Sequence, residues 1–78
     1  MDRMYKGVLS KAYNPTTAEI NGSYMVVNAG SAFKALLQLQ RQFDESDEPV
    51  GDMYISVYRW SSKERTWRHE LTRRMSAI

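Results

Sequence analysis

The stretch SAFKALLQLQRQF, residues 31 to 43, has apolar residues at helical spacing, and it constrains the fold more than any other feature of the chain. Ser31 is suited to the N-cap position, where its hydroxyl accepts a hydrogen bond from a backbone N–H of the first turn. Pro49, in the acidic segment DESDEP, forbids continuation of the helix. Phe33 and Leu37 widen the apolar stripe, which consists of Ala32, Ala35, Leu36, Leu39 and Phe43. One such helix needs a sheet to bury its stripe, so the sequence predicts an α+β fold.

Strand-like segments lie before this helix. MYKGVLSKAY predicts a first strand over residues 4 to 13, and Pro15 then interrupts the extended run. SYMVV predicts another strand, whereas TTAEI (residues 16 to 20) fits either a weak strand or a loop. Asn21 and Gly22 between them tolerate positive φ and favour a type I′ turn.

After the helix, GDMYISVYRW and TWRHELTRR read as two strands around SSKER. A five-residue loop over residues 61 to 65 pairs Trp60 with Thr66, and it places His69 opposite Val57 and Leu71 opposite Ile55. The inner face then holds Met53, Ile55, Val57, Leu71 and Trp67, and the outer face holds Tyr54, Tyr58, Trp60 and Arg68. A four-residue loop that sets Glu70 and Arg68 opposite Ile55 and Val57 is rejected because it would bury charge.

Together these segments predict a single domain over residues 1–78. The expected architecture is a four- to five-stranded, mainly antiparallel sheet with one helix packed on one face, in the order β-(β)-β-α-β-β. The hydrophobic content of 42% is sufficient for one core and argues against disorder.

Several functional classes are disfavoured by what the sequence lacks. There is no cysteine, so disulfides and thiolate metal sites are excluded. No apolar run reaches the roughly 18 residues of a membrane span, and no secretory signal is visible, so we expect a cytoplasmic protein without membrane contact. His69 is the only histidine and no nucleotide-binding or metalloprotease motif is present, so we expect no enzyme activity, no metal and no cofactor.

The aromatic and basic hairpin is the candidate binding surface. Its predicted binding residues are Tyr54, Tyr58, Trp60, Lys63, Arg65, Arg68, Arg73 and Arg74. Rings and cations of this kind suit a protein interface, and they also suit single-stranded nucleic acid, where rings stack on bases. The net charge is only +2, and five of the nine acids lie between residues 44 and 52, which disfavours nucleic acid slightly. Homodimerisation through an exposed edge strand stays open.

The order of strands around the GSAFKALLQLQ helix, followed by GDMYISVYRW and TWRHEL, resembles the format of small bacteriophage inhibitors of the anti-CRISPR type. The resemblance is one of size and layout, with no shared motif, so it assigns no residue a role. It implies a non-catalytic protein in the host cytoplasm that binds a bacterial defence protein or nucleoprotein complex and blocks its nucleic-acid recognition or nuclease step. The alternative is a small nucleic-acid-binding regulator.

Overall fold

A computed structural model describes residues 2–23, 25–45 and 53–75 of the chain. Within these ranges the elements follow in the order β1 (Arg3–Ser10), α1 (Thr17–Gly22), β2 (Met25–Ala29), α2 (Ala32–Asp44), β3 (Tyr54–Ser61) and β4 (Thr66–Arg74). The four strands form one sheet in the order β2-β1-β3-β4, and every neighbouring pair is antiparallel. The α+β class and the antiparallel sheet are thus confirmed.

Helix α2 forms as the apolar spacing predicts. Ser31 is its N-cap, with the hydroxyl accepting from the Lys34 N–H at 3.2 Å. The helix ends at Asp44, within the acidic segment. Its buried residues are Ala35, Leu36, Leu39 and Phe43. Phe33 and Leu37, however, are each 51% exposed, so the prediction that they widen the apolar stripe of the helix is wrong.

The core lies between α2 and one face of the sheet, which we call the helix face. Tyr5, Val27, Ala29, Ile55 and Val57 contribute from the strands, and Met75 closes the cluster. Gly7 of β1 lies directly beneath Leu39: a Cβ at this glycine would come within 2.8 Å of Leu39 Cδ2. Because Gly7 has no side chain, α2 packs close to the backbone in the middle of the sheet.

Residues 16 to 20 are neither strand nor loop. Most of this stretch belongs to α1, and Asn21 and Gly22 end that helix instead of forming a hairpin turn. Thr16 and Glu19 explain the difference, because they form a reciprocal capping box: the Thr16 Oγ1 accepts from the Glu19 N–H, and the Glu19 carboxylate accepts from the Thr16 N–H. The first strand is correspondingly shorter than predicted and ends at Ser10.

The connection through α1 lies against the second sheet face, which we call the outer face. The Lys6 ammonium donates to the Ile20 carbonyl at 3.2 Å, which joins the centre of β1 to the end of α1. Farther along the same connection, the Tyr13 ring packs edge-on against Tyr54 at 5.5 Å between centroids. Both faces of the sheet are thus partly covered, and Val8, Ser10 and Ser56 on the outer face are 1% exposed or less.

Candidate functional site at the hairpin end of the sheet

The β3–β4 hairpin has a register that differs from the predicted one. Trp60 pairs with Trp67, and Ser61 pairs with Thr66, so the turn spans residues 62 to 65. Farther from the turn, the partner of Val57 is Leu71, while the partner of Tyr58 is His69. Glu70 is therefore the extra residue of a β-bulge, and beyond it the alternation of faces is shifted by one residue.

β3 continues to Ser61, which shifts the pairing between the turn and the bulge by one residue and corrects three predicted positions. Trp67 lies on the outer face beside Trp60 and not in the inner layer, because the two residues are directly paired. His69 is an exposed outer-face residue beside Tyr58 and not a residue opposite Val57. Arg68 pairs with Arg59 on the helix face, so it does not share a surface with Tyr58 and Trp60.

Four aromatic residues of the outer face, together with Lys6, form what we call the tryptophan cluster: Lys6, Tyr58, Trp60, Trp67 and His69. The two indoles meet edge-to-face with 5.2 Å between centroids, and both are partly exposed. The Lys6 ammonium lies 4.7 Å from the Trp67 ring centroid, and Lys6 as a whole is only 7% exposed. A cation in this position covers one face of Trp67 and fixes the ring.

Tyr58 and His69 complete the tryptophan cluster at its inner end. Their rings meet edge-on at 5.4 Å. Tyr58 is 7% exposed, and its burial raises the pKa of the phenol above the ordinary value of 10.0. Tyr58 is therefore a packed residue and offers little surface to a partner.

A basic pocket adjoins Trp60 at the end of the sheet. It has a volume of about 270 Å³ and is lined by Arg3, Arg59, Trp60, Ser61, Ser62 and Lys63. Arg3 is the first residue of β1, Arg59 and Ser61 lie near the end of β3, and Lys63 lies in the turn. The antiparallel β1–β3 pairing therefore brings these residues to the same end of the sheet. The pocket combines three cations with two hydroxyl groups beside an indole, a set of donors that suits a carboxylate or phosphate.

Part of the positive charge is already balanced. Arg59 Nε lies 3.1 Å from Glu70 Oε1, but no hydrogen bond forms at this nitrogen, so the contact is an ion pair with poor direction. Arg68 Nη1 donates to Glu64 Oε1 at 2.9 Å across the turn. The side chains of the first pair are about a third exposed and those of the second about half exposed, so both pairs contribute little stability. Two cations of the pocket, Arg3 and Lys63, have no acidic partner among the residues that the structure describes.

The remaining predicted binding residues are dispersed. Arg65 is exposed in the turn with φ of 53°, in the left-handed region. Arg73 lies on the helix face with its guanidinium carbon 5.9 Å from the Phe33 ring centroid. Arg74 pairs with Tyr54 at the opposite end of the hairpin from the turn. Trp60 and Lys63 are therefore the predicted residues that the structure brings together, with Arg65 near them in the turn.

The outer face also carries a contact between an imidazole and a hydroxyl group. His69 Nε2 lies 2.6 Å from Thr72 Oγ1, which in turn lies 3.1 Å from Ser56 Oγ. Nucleophilic catalysis also requires a group that orients the imidazole, and among the described residues no carboxylate contacts His69. Ser56 is fully buried, and its contact with Thr72 connects β3 with β4.

Within residues 2–23, 25–45 and 53–75, no group of three or more His, Asp or Glu side chains could hold a metal ion. Neither described helix is long and apolar enough to cross a membrane. Most of the acidic segment, residues 46–52, lies outside the described residues.

Searches against protein-family models, curated protein sequences and solved structures find no match for this chain. The site must therefore be interpreted from its own chemistry.

Proposed function

We propose that this chain is a non-catalytic binding protein that engages an acidic group of a protein or nucleoprotein partner through the hairpin end of its sheet. The observation that carries the proposal is the basic pocket: Arg3, Arg59 and Lys63 converge beside the partly exposed Trp60. Arginine and tryptophan are enriched among residues that dominate protein interfaces. An indole beside a set of cations supplies both an apolar anchor and a charged recognition group.

A specific biological form of this proposal is an inhibitor of a bacterial defence complex, of the anti-CRISPR type. Its support is the small α+β format and the absence of a recognisable catalytic motif in the sequence. In that form the pocket residues would hold a carboxylate or phosphate of the complex, and binding would obstruct nucleic-acid recognition or cleavage. The protein would then act in the cytoplasm of the host cell.

The alternative, a nucleic-acid-binding regulator, is favoured by one observation, the partly exposed Trp60–Trp67 pair next to basic residues. Stacking of several bases needs several open ring faces. Here Lys6 covers a face of Trp67, and Tyr58 is buried. Arg68 lies on the other side of the sheet. Of the two indoles in the tryptophan cluster, this leaves Trp60 without a covering cation, so we place the protein partner first.

Intrinsic tryptophan emission separates the two functions, because Trp60 and Trp67 are the only tryptophans in the chain. We would titrate the protein with single-stranded and double-stranded DNA and RNA oligonucleotides at low and at physiological salt. Phosphate contacts make the logarithm of the binding constant fall linearly with the logarithm of salt concentration. A large, salt-sensitive emission change would establish the nucleic-acid function. An unchanged emission in every titration is the result that we expect for a protein binder.

Capture from bacterial lysate tests the protein partner directly. The site variant is Arg3→Glu/Lys63→Glu, which reverses two exposed charges of the pocket. The matched control is Lys11→Glu/Lys34→Glu, which makes the same change in net charge at exposed positions elsewhere. We expect a partner that binds the wild-type chain and the control but not the site variant. Equal capture by both variants would show that the pocket does not bind the partner.

A further inference from the structure

The two edges of the sheet differ sharply in charge. β4 forms one edge, and along it lie three arginines, a histidine and a glutamate, interrupted by the bulge at Glu70. Charged side chains and bulges are the devices with which natural sheets prevent edge-to-edge pairing. β4 is therefore protected against self-association.

β2 forms the other edge and has neither device. Its sequence, MVVNA, contains no charged residue and no proline, and its pairing with β1 is regular over all five residues. No described strand pairs with its outer side. On the outer face of this strand, Val26 is 41% exposed and Asn28 is exposed as well. An uncharged, regular edge with an exposed β-branched residue is the type of strand that accepts another strand.

The side of the helix above this edge is polar. The contact of Arg73 with Phe33 shows that the Phe33 side of α2 is directed towards β4. Gln38 and Gln42 lie on the opposite side of the helix by its 3.6-residue period, and both are exposed. The β2 side of the helix therefore presents the amides of Gln38 and Gln42, and the exposed Lys34 and Arg41 adjoin them.

We infer that a second copy of this chain pairs with the outer edge of β2 in an antiparallel, two-fold symmetric dimer. A two-fold interface places the same strand on both sides, which an uncharged strand tolerates and the arginine-rich β4 does not. Centred on Val27, the pairing sets Val26 opposite Asn28 of the partner subunit on the outer face. The two sheets then continue into one, and both hairpin ends stay free. This inference is independent of the proposed function.

Charge substitutions at the two exposed positions test both the dimer and its register. Val26→Lys/Asn28→Lys sets like charges opposite each other across the interface. Val26→Lys/Asn28→Glu sets opposite charges there instead. By light scattering coupled to size exclusion, we expect wild type at twice the chain mass of 9.1 kDa. We expect the Lys/Lys variant as a monomer and the Lys/Glu variant as a dimer. Thr66→Lys/Ser62→Lys, near the other edge, should remain dimeric.

Three results would overturn the inference: a monomeric wild type at every concentration, a Lys/Lys variant that stays dimeric, or a Lys/Glu variant that is folded and monomeric. Circular dichroism establishes folding for each protein. A second measurement needs no variant: the backbone amides of β2 should exchange more slowly with solvent as wild-type concentration rises. Exchange that is independent of concentration would also contradict pairing at this edge.

Discussion

Gly7 lies at the narrowest point between the sheet and α2, and replacing it with alanine should measure how tightly the two layers pack. The added Cβ would lie 2.8 and 2.9 Å from the two Cδ atoms of Leu39 and 3.2 Å from its Cγ. Carbon atoms in favourable contact are about 3.5–4.0 Å apart, so the overlap is roughly 0.7 Å or more. Leu39 is fully buried and cannot swing into solvent.

Overpacking of a buried site costs about 1–3 kcal/mol. Loss of glycine flexibility in the unfolded chain offsets about 0.4–1 kcal/mol of this. We therefore expect Gly7→Ala to lower the free energy of unfolding by about 1–2 kcal/mol, measured by urea denaturation with circular dichroism. Gly22→Ala is the matched control, because no atom lies within 4 Å of a Cβ placed there, and φ is not positive at any described glycine. It should be neutral or slightly stabilising.

A double-mutant cycle shows whether the effect comes from Leu39. Leu39→Ala alone should cost about 2–5 kcal/mol through lost burial and the cavity it leaves. In the double variant the alanine methyl group at position 7 enters that space. The combined loss should therefore be smaller than the sum of the two single losses, by about 1 kcal/mol or more. A Gly7→Ala protein as stable as wild type, or strictly additive losses, would refute the close approach of α2 to β1.

Three further changes should have smaller effects. Ser31→Ala removes the side-chain acceptor of the Lys34 N–H and should lower the free energy of unfolding by about 1 kcal/mol, whereas Ser62→Ala should not; equal values would exclude the N-cap contribution. The raised pKa of Tyr58 means that the folded state disfavours the phenolate, so the contribution of Tyr58 to stability should be constant well below pH 10 and should be lost as pH rises above it. That fall should shrink in Tyr58→Phe, and identical alkaline profiles would contradict it. Arg65→Gly relieves a left-handed backbone and should leave stability unchanged or raise it by up to about 1 kcal/mol, in the same urea assay; a clear loss would contradict strain at this turn.

The helix was predictable because its signal is local and redundant. The spacing of Ala35, Leu36, Leu39 and Phe43 and the cap at Ser31 all indicate the same element, and the structure has it at those residues. α1 had a signal of comparable quality in Thr16 and Glu19, three residues apart, and the capping box was missed. The exposure of Phe33 and Leu37 depends on the width of the sheet beneath the helix, which no local pattern contains.

The candidate site was less accessible to prediction because it depends on where one turn begins and on one inserted residue. Strict alternation assigns Trp67 and Leu71 to the same face, and the bulge at Glu70 separates them. The partner of Trp60 was mispredicted because β3 continues to Ser61 and the turn begins at Ser62, which shifts the pairing by one residue before the bulge is reached. Arg3 and Lys6 were missed for another reason: they reach the site through pairing of β1 with β3 and through the fold of α1, contacts between residues far apart in sequence.

The most direct test of the central claim is site-specific photo-crosslinking from the rim of the basic pocket. A photoreactive phenylalanine analogue would replace Ser62, which is exposed and lines the pocket, and in a control protein it would replace Lys34 on α2. After irradiation in bacterial lysate, the crosslinked product would be treated with nuclease or with protease. We predict a discrete, nuclease-resistant protein adduct from position 62 and none from position 34. Adducts of equal yield from both positions, or none from position 62 in a lysate from which the unmodified chain captures a partner, would contradict binding at the hairpin end.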